Sequence, residues 1–284
     1  MSLKPVLQTY LNKDSGLDGA SYVLFGAPLE KTTSNRRGAR FGPAAIRRES
    51  IYLDTFSMRS GLDWKDLDLL DAGDLQYQGL GYNLDDLERF ISDLQAVPFM
   101  LGGEHTVSLG SIRALQPDLV IVYDAHFDLR DELFGERLSH ATYLRRGFEE
   151  LNFNLLILGV RAMSGEEVDF ANSNDSINYF TSLNIIREPE KVEEKVLDAV
   201  ENASQVYMSI DMDILDPGFA PAVSNPHPEG LSTTQLMDLI FPTVSKKMVG
   251  FDLTEVCPHY DNGVTATTAA YIIMETLYSH IKAS

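Results

Sequence analysis

Short apolar runs alternate with helix-like stretches along the chain. Eight of these runs are bounded by turn or charged residues, and several are rich in β-branched or aromatic side chains, as strands are. They are SYVLFG, DLDLLDAG, VPFMLGG, DLVIVYD, NLLILGV, INYF, QVYMSID and MVGFDLT. Alternating strands and helices predict an α/β fold, in which a parallel sheet carries helices on both faces.

Two stretches have the apolar stripe of an amphipathic helix. In residues 83–96 the stripe consists of Leu84, Leu87, Phe90, Ile91 and Leu94, and in residues 190–202 of Val192, Val196, Leu197 and Val200. Two pairs have the spacing of a capping box, Ser164 with Glu167 and Ser232 with Gln235. We therefore expect helices to begin at these serines.

Acids and imidazoles follow four of the predicted strands. They are His105 after VPFML, Asp124, His126 and Asp128 after VIVY, Asp211 and Asp213 after VYMSI, and Glu255 after MVGFDLT. One such residue alone is usually a turn, cap or packing residue. Because ligands of parallel sheets gather at the carboxyl ends of strands, we expect these groups to converge. Crowded carboxylates need compensating cations, so the pattern predicts a metal site.

The donor set favours two divalent cations, because four aspartates match the charge of two such ions. Carboxylates with some imidazole suit Mn²⁺ better than Zn²⁺, which prefers thiolate and imidazole. The one cysteine, Cys257, is outside the set and suits a reducing compartment.

The chain has 284 residues and a formal net charge of −19, from 23 basic and 42 acidic residues. This charge argues against nucleic acid or an anionic membrane as a partner and permits a cationic substrate. The sequence shows no linker, no apolar stretch that could span a bilayer and no N-terminal signal peptide. We expect a single cytoplasmic domain, residues 1–284.

Four motifs, GGEHTVSLG, DAHFD, SIDMDILDPGFAP and DLTEVCPHYD, resemble those of the arginase/agmatinase (ureohydrolase) family in order and spacing. The segments GAPLEKTTSNRRGARFGPAAIRRES and LSHATYLRR resemble its agmatinase branch. The resemblance covers nearly the whole chain. It implies a three-layer α/β/α fold with a mostly parallel sheet of about eight strands, a binuclear manganese centre and a homo-oligomer, either a trimer or a hexamer.

The resemblance also implies roles for individual residues. One Mn²⁺ would be held by His105, Asp124, Asp128 and Asp211, and the other by His126, Asp124, Asp211 and Asp213, so that Asp124 and Asp211 bridge. Hydroxide on this centre would attack the guanidinium carbon and release urea and an amine. Catalytic roles would fall to Glu255, which pairs with the guanidinium, to Asp128, which protonates the leaving amine, and to His140, which shuttles protons at the mouth. His227, His259 and His280 lie outside the pattern and are expected to be structural or solvent-facing.

Two departures from the arginase pattern favour agmatine, which would give putrescine and urea. Ala162 stands where arginases have an aspartate for the α-amino group, and the loop after DAHFD lacks their Asn- and Ser-rich pattern. Asp131 and Glu132 of this loop are expected either to form a negative rim for the distal ammonium or to be solvated. The segment APAVSNPHPEG also departs from agmatinases, at Ala222, Ser224, Asn225 and Glu229. Aminopropylagmatine, guanidinobutyrate and arginine therefore remain alternative substrates.

Two other classes of function are open at this point. A deacetylase of the same fold would use one zinc ion and fewer acidic ligands. A catalytically silent metal-binding subunit would have lost some of the site residues, whereas all of them are present here.

Overall fold

The computed structural model describes residues 2–6, 8–12, 19–76 and 84–284. These residues form one nine-stranded sheet with helices on both faces. The strands are β1 (Ser2–Lys4), β2 (Tyr22–Ala27), β3 (Leu69–Gln76), β4 (Val97–Gly102), β5 (Leu119–Tyr123), β6 (Asn154–Val160), β7 (Ile177–Thr181), β8 (Val206–Asp211) and β9 (Met248–Thr254). The α-helices are α1 (Gly42–Ser50), α2 (Leu84–Ser92), α3 (Ser108–Leu115), α4 (Tyr143–Leu151), α5 (Gly165–Asn172), α6 (Ser182–Arg187), α7 (Pro189–Asn202), α8 (Thr233–Thr243) and α9 (Val264–Ala283).

The sheet is parallel except at one edge. Its order is β1-β3-β2-β4-β9-β8-β5-β6-β7, and β1 pairs with β3 in the antiparallel direction. All eight predicted strands are confirmed. The ninth, β1, was not predicted, because three residues are too few to show a hydrophobic period.

The strands alternate their side chains between two cores, which gives the three-layer fold expected from the resemblance. In β5, Ile121 belongs to the core shared with α1, α6, α7, α8 and α9. Its neighbour Val120 belongs to the core under α2, α3, α4 and α5. Both are fully buried.

The predicted helix starts are confirmed, since Ser164 and Ser232 each form a reciprocal capping box. The prediction of a buried apolar stripe is wrong for one residue: Leu197 is 39% exposed, whereas Val196 beside it is buried. Residue 83, the first of the stretch 83–96, lies outside the described residues. Within the described chain, none of the helices combines the length and apolar character that a membrane span requires.

Candidate active site

Four adjacent strands bring the predicted site residues together. The strands β4, β9, β8 and β5 are neighbours in this order. His105 follows the end of β4, Glu255 follows β9, Asp211 is the last residue of β8, and Asp124 follows β5. The polar groups therefore converge at one edge of the sheet, as the sequence pattern predicts.

Two groups of donor atoms lie close enough to hold a metal ion. His105, Asp124 and Asp211 form one group, and Asp124, His126 and Asp213 form the other, with the donor atoms of each group within 4.8 Å of one another. Asp124 thus belongs to both groups. Among the described residues, Asp211 belongs to the first group alone.

Asp128 lies next to the first group without belonging to it. Its Oδ2 atom is 3.5 Å from Nδ1 of His105. Its backbone has a φ of 53°, and that of Glu255 has a φ of 65°. Residues other than glycine rarely adopt this left-handed conformation, and strain of this kind concentrates at functional sites.

The donor atoms are better suited to binding cations than to pairing with one another. In the described part of the chain, Nδ1 of His105 and Oδ2 of Asp124 are buried without a hydrogen-bond partner. Burial raises the pKa of Asp128 and Asp211 well above the usual carboxyl range. At Asp124 burial has the same effect, but the imidazoles of His105 and His126 outweigh it and lower the pKa. Divalent cations would compensate the carboxylates and bind the free imidazole lone pair.

A chain of hydrogen bonds supports His105 from behind. The hydroxyl of Ser209 donates to Oδ1 of Asp252 over 2.6 Å and lies 2.8 Å from Nε2 of His105. Because the single hydroxyl hydrogen goes to Asp252, Nε2–H of His105 must donate to Ser209. The hydroxyl of Tyr143 also contacts Nε2, at 2.9 Å. This tautomer leaves the Nδ1 lone pair for a metal.

Glu255 presents one free oxygen. Its Oε1 atom accepts a hydrogen bond from the backbone N–H of His105, over 2.8 Å. Its Oε2 atom is buried and has no hydrogen-bond partner among the described residues. Burial raises the pKa of the Glu255 carboxyl to about 7.

His140 is half-buried and lines the same pocket. Its Nδ1 atom lies 3.1 Å from the Thr32 hydroxyl, and Nε2 lies 3.2 Å from the hydroxyl of Ser34. Burial lowers the pKa of His140, and Glu104 opposes this effect.

The pocket has a volume of about 490 Å³. Its wall includes Ala162, which adds no carboxylate, and Ser224 and Asn225 from the segment that departs from the agmatinase pattern. Ala222 of that segment is fully buried and lies outside the lining, as does Glu229. Asn225 Nδ2 is 3.1 Å from Nε2 of His126.

Of the two alternatives expected for Asp131 and Glu132, the negative rim is wrong, because neither residue lines the pocket. The Oδ1 atom of Asp131 lies 2.8 Å from Arg146 and 3.3 Å from Arg137, so its charge is already compensated. The arginines hold the pKa of Asp131 below its usual value. Glu132 is exposed and does not line the pocket. This loop instead contributes Arg130, Leu133 and Phe134 to the wall.

The remaining histidines mostly match expectation. His259 is exposed, and His280 is buried with Nδ1 3.0 Å from the hydroxyl of Tyr22. His227 differs, because it is half-buried and lines the pocket.

Sequence reasoning missed Arg161. Its guanidinium donates to the backbone carbonyls of Gly159, Asp213, Ile214, Leu215, His227 and Pro228. Arg161 thereby fixes the backbone of the proposed ligand Asp213 to the loop that contains Asn225. The one signal in the sequence for a role of Arg161 was its position directly after β6, beside Ala162.

The Arginase family matches residues 20–278 of the chain. The chain belongs to the arginase family. It is 35% identical to the agmatinase of Bacillus subtilis over 277 residues, and this alignment covers 93% of each chain. It is 32% identical to the N(1)-aminopropylagmatine ureohydrolase of Thermococcus kodakarensis over 269 residues, and this alignment covers 91% of this chain and 90% of the relative. The structure of proclavaminate amidino hydrolase from Streptomyces clavuligerus matches with a TM-score of 0.89 and 30% identity, over 99% of both chains.

Membership in the arginase family makes this chain a hydrolase that acts on amidine C–N bonds. The two overlapping donor groups, with their acidic majority, agree with that class and not with a deacetylase that uses one zinc ion.

Proposed function

We propose that the protein hydrolyses the guanidinium group of agmatine to putrescine and urea. The observation that carries this proposal is the free, buried Oε2 atom of Glu255, in the same pocket as the donor groups. A guanidinium is a permanent cation with planar N–H donors, so it satisfies a buried carboxylate oxygen that has no protein partner.

We assign two Mn²⁺ ions to the site, held by His105, Asp124, Asp128, Asp211, His126 and Asp213. When bound, two divalent cations supply acidified water near neutral pH and neutralise the carboxylates. The protein's part is to orient the donor atoms. The backbone N–H of His126 donates to Oδ1 of Asp124 over 2.6 Å, and that of Asp213 donates to Oδ1 of Asp211 over 2.8 Å.

Proton transfer is assigned to Asp128 and His140. The departing amine needs a proton, and Asp128, which lines the pocket with Oδ2 3.5 Å from Nδ1 of His105, is the carboxyl assigned to deliver it. His140 lines the pocket that contains the donor groups, and its Nε2 atom lies 3.2 Å from the hydroxyl of Ser34, which is exposed. Its ring is therefore placed to exchange protons between the pocket and water.

Three findings support agmatine. The relatives from Bacillus subtilis and Thermococcus kodakarensis are named for agmatine and an aminopropyl derivative of it. Ala162 supplies no carboxylate for an α-amino group. Arg130 in the pocket wall lies 3.6 Å from Glu167, which compensates part of its charge and weakens its attraction for a substrate carboxylate.

A guanidino acid, such as guanidinobutyrate or arginine, is the second candidate. Arg130 favours it, because its side chain is 38% exposed and could turn from Glu167 to a substrate carboxylate. For the whole protein we propose a cytoplasmic homo-oligomer, a trimer or hexamer, that supplies putrescine for polyamine synthesis.

Competition between substrates tests the proposal. With agmatine, aminopropylagmatine, guanidinobutyrate and arginine mixed in equal amounts, we expect kcat/KM for agmatine to exceed that for arginine by at least ~10²-fold, or roughly 2.7 kcal/mol. Mass spectrometry of the amine products gives the ratio. Ornithine or aminobutyrate as the main product would assign the protein to the guanidino acids. In that case Arg130→Ala should lower their turnover more than that of agmatine.

A further inference from the structure

A chain of hydrogen bonds connects a buried carboxylate with the imidazole of His140. Glu104 is fully buried. Its Oε2 atom accepts from the backbone N–H groups of Lys31 and Thr32, over 2.6 and 2.7 Å. Its Oε1 atom accepts from the hydroxyls of Thr32 and Thr106, over 2.9 and 2.8 Å.

The Thr32 hydroxyl has one hydrogen and two lone pairs. The hydrogen goes to Glu104, so the oxygen can only accept from its other neighbours. One of these is the backbone N–H of His140, 3.0 Å away. The other is Nδ1 of the same histidine, 3.1 Å away. Nδ1 must therefore carry a proton when the ring is neutral.

The opposite nitrogen is then free to accept a proton. Nε2 of His140 lies 3.2 Å from the hydroxyl of Ser34, which can rotate to donate or to accept. His140 and Ser34 both line the pocket that contains the donor groups.

We propose that Thr32 is a positioning residue. With Glu104, it holds His140 in the tautomer protonated at Nδ1, so that Nε2 exchanges protons with the reactants and with water. The inference rests on the proposed function, because it gives His140 a proton to move. It also couples the segment after β2 to the chemistry, although no residue of that segment is a proposed metal ligand.

The alternative is that the Thr32 hydroxyl has a purely structural role, which predicts different activities for the variants of this residue. Glu104 anchors this segment through the backbone N–H groups of Lys31 and Thr32, and both hydrogen bonds persist when the side chain changes. Thr32→Val therefore removes the hydroxyl from His140 and keeps the anchor, whereas Thr32→Ser keeps both. Thr33→Val is the matched control, because in the described part of the chain the Thr33 hydroxyl has no hydrogen-bond partner.

Steady-state kinetics on the manganese-loaded protein, with urea release as the readout, make the first test. We expect Thr32→Val to lower kcat by ~10-fold, with KM within ~2-fold and the metal content unchanged, since one proton-transfer group is misaligned. Thr32→Ser should stay within ~3-fold of the parent protein, and Thr33→Val should match it. In a His140→Asn background, Thr32→Val should cause no further loss. A further loss there, or a loss in Thr32→Ser or Thr33→Val as large as that in Thr32→Val, would overturn the proposal.

Nitrogen NMR of histidine labelled with ¹⁵N gives a readout that does not depend on turnover. With diamagnetic Zn²⁺ in place of paramagnetic manganese, neutral His140 should show a protonated Nδ1 and an unprotonated Nε2. Thr32→Val should shift the ring toward a mixture of the two tautomers. Parent protein protonated at Nε2 would overturn the inference. Parent protein that releases no urea from any guanidino compound would overturn the proposed function, and the tautomer would still test the role of Thr32.

Discussion

Nδ1 of His105 lies 3.1 Å from Oδ2 of Asp124, both atoms are buried, and neither has a hydrogen-bond partner among the described residues. A lone pair and a carboxylate facing each other at this distance repel unless a proton or a cation lies between them. His105 is held from behind by Ser209, so its ring is fixed in this orientation. This relationship is the basis of the metal assignment.

The first prediction concerns Asp124, the residue common to both donor groups. Native protein should bind about two Mn²⁺ per chain, as in two-metal hydrolases. Asp124→Asn should lower the content below one ion and abolish urea release, because a neutral amide is a weak ligand and leaves the cations under-compensated. Metal analysis after gel filtration measures the content. Full activity of metal-stripped protein, or of protein with a single Zn²⁺, would disprove the binuclear assignment.

The second prediction concerns the support of His105. Ser209→Ala removes one of the two hydroxyls that contact Nε2 of His105, together with its link to Asp252, and should weaken Mn²⁺ binding by ~10- to 100-fold, as losing an outer partner of a metal ligand commonly does. Isothermal titration calorimetry measures the affinity. Ser182→Ala is the control, because the Ser182 hydroxyl is buried and has no partner in the described chain. Equal affinities for both variants would contradict the role of Ser209.

The third prediction concerns pH. Because burial raises the pKa of Asp128 and Asp211, these two groups bind more protons in the folded, metal-free protein than in the unfolded chain, and their contribution to stability falls as the pH rises. His105 and His126 act in the same direction. Burial opposes their charge, but the neighbouring carboxylates raise their pKa well above the usual value, and the stabilisation is lost as the pH rises through it.

Manganese binds these carboxylates and imidazoles in their deprotonated form, so they no longer take up protons in the loaded site. The Tm difference between loaded and stripped protein should therefore widen from about pH 6 to about pH 8, as differential scanning calorimetry can measure. A difference that narrows over this range would show that the acids and imidazoles named here do not form the metal site.

The fourth prediction concerns Arg161. A lysine has no fork of N–H donors, so Arg161→Lys should leave several of the six carbonyls without a partner and lower the free energy of unfolding by ~2 kcal/mol or more. It should also weaken metal binding, since the backbone of Asp213 loses its support. Arg113→Lys changes a surface ion pair with Glu150 and should shift the stability by less than ~1 kcal/mol. Chemical denaturation compares the two, and equal shifts would contradict the role of Arg161.

The sequence predicted the strands well, because each strand buried on both faces reads as an unbroken apolar run. It also predicted the convergence of acids and imidazoles, since parallel strands end at a common edge. Their assignment to individual metals depended on the family resemblance. The single domain over residues 1–284 and the roles of the site residues remain predictions.

Contacts between distant residues were beyond a reading of the sequence. Thr32 and Glu104 are 72 positions apart, and no local pattern marks their hydrogen bond. Arg161 binds backbone carbonyls, which carry no sequence signal. Asp131 looked like a free acid until the fold brought Arg145 and Arg146 beside it. Leu197 lies at the edge of its stripe, where helix packing decides exposure.

Urea release from agmatine by metal-stripped protein reloaded with Mn²⁺ tests the central claim most directly. The parent protein should release urea and putrescine in equal amounts. Glu255→Gln, loaded with as much manganese, should be at least ~10²-fold slower, because the guanidinium loses its charged partner. Parent protein that carries about two Mn²⁺ per chain and releases no urea would contradict the account.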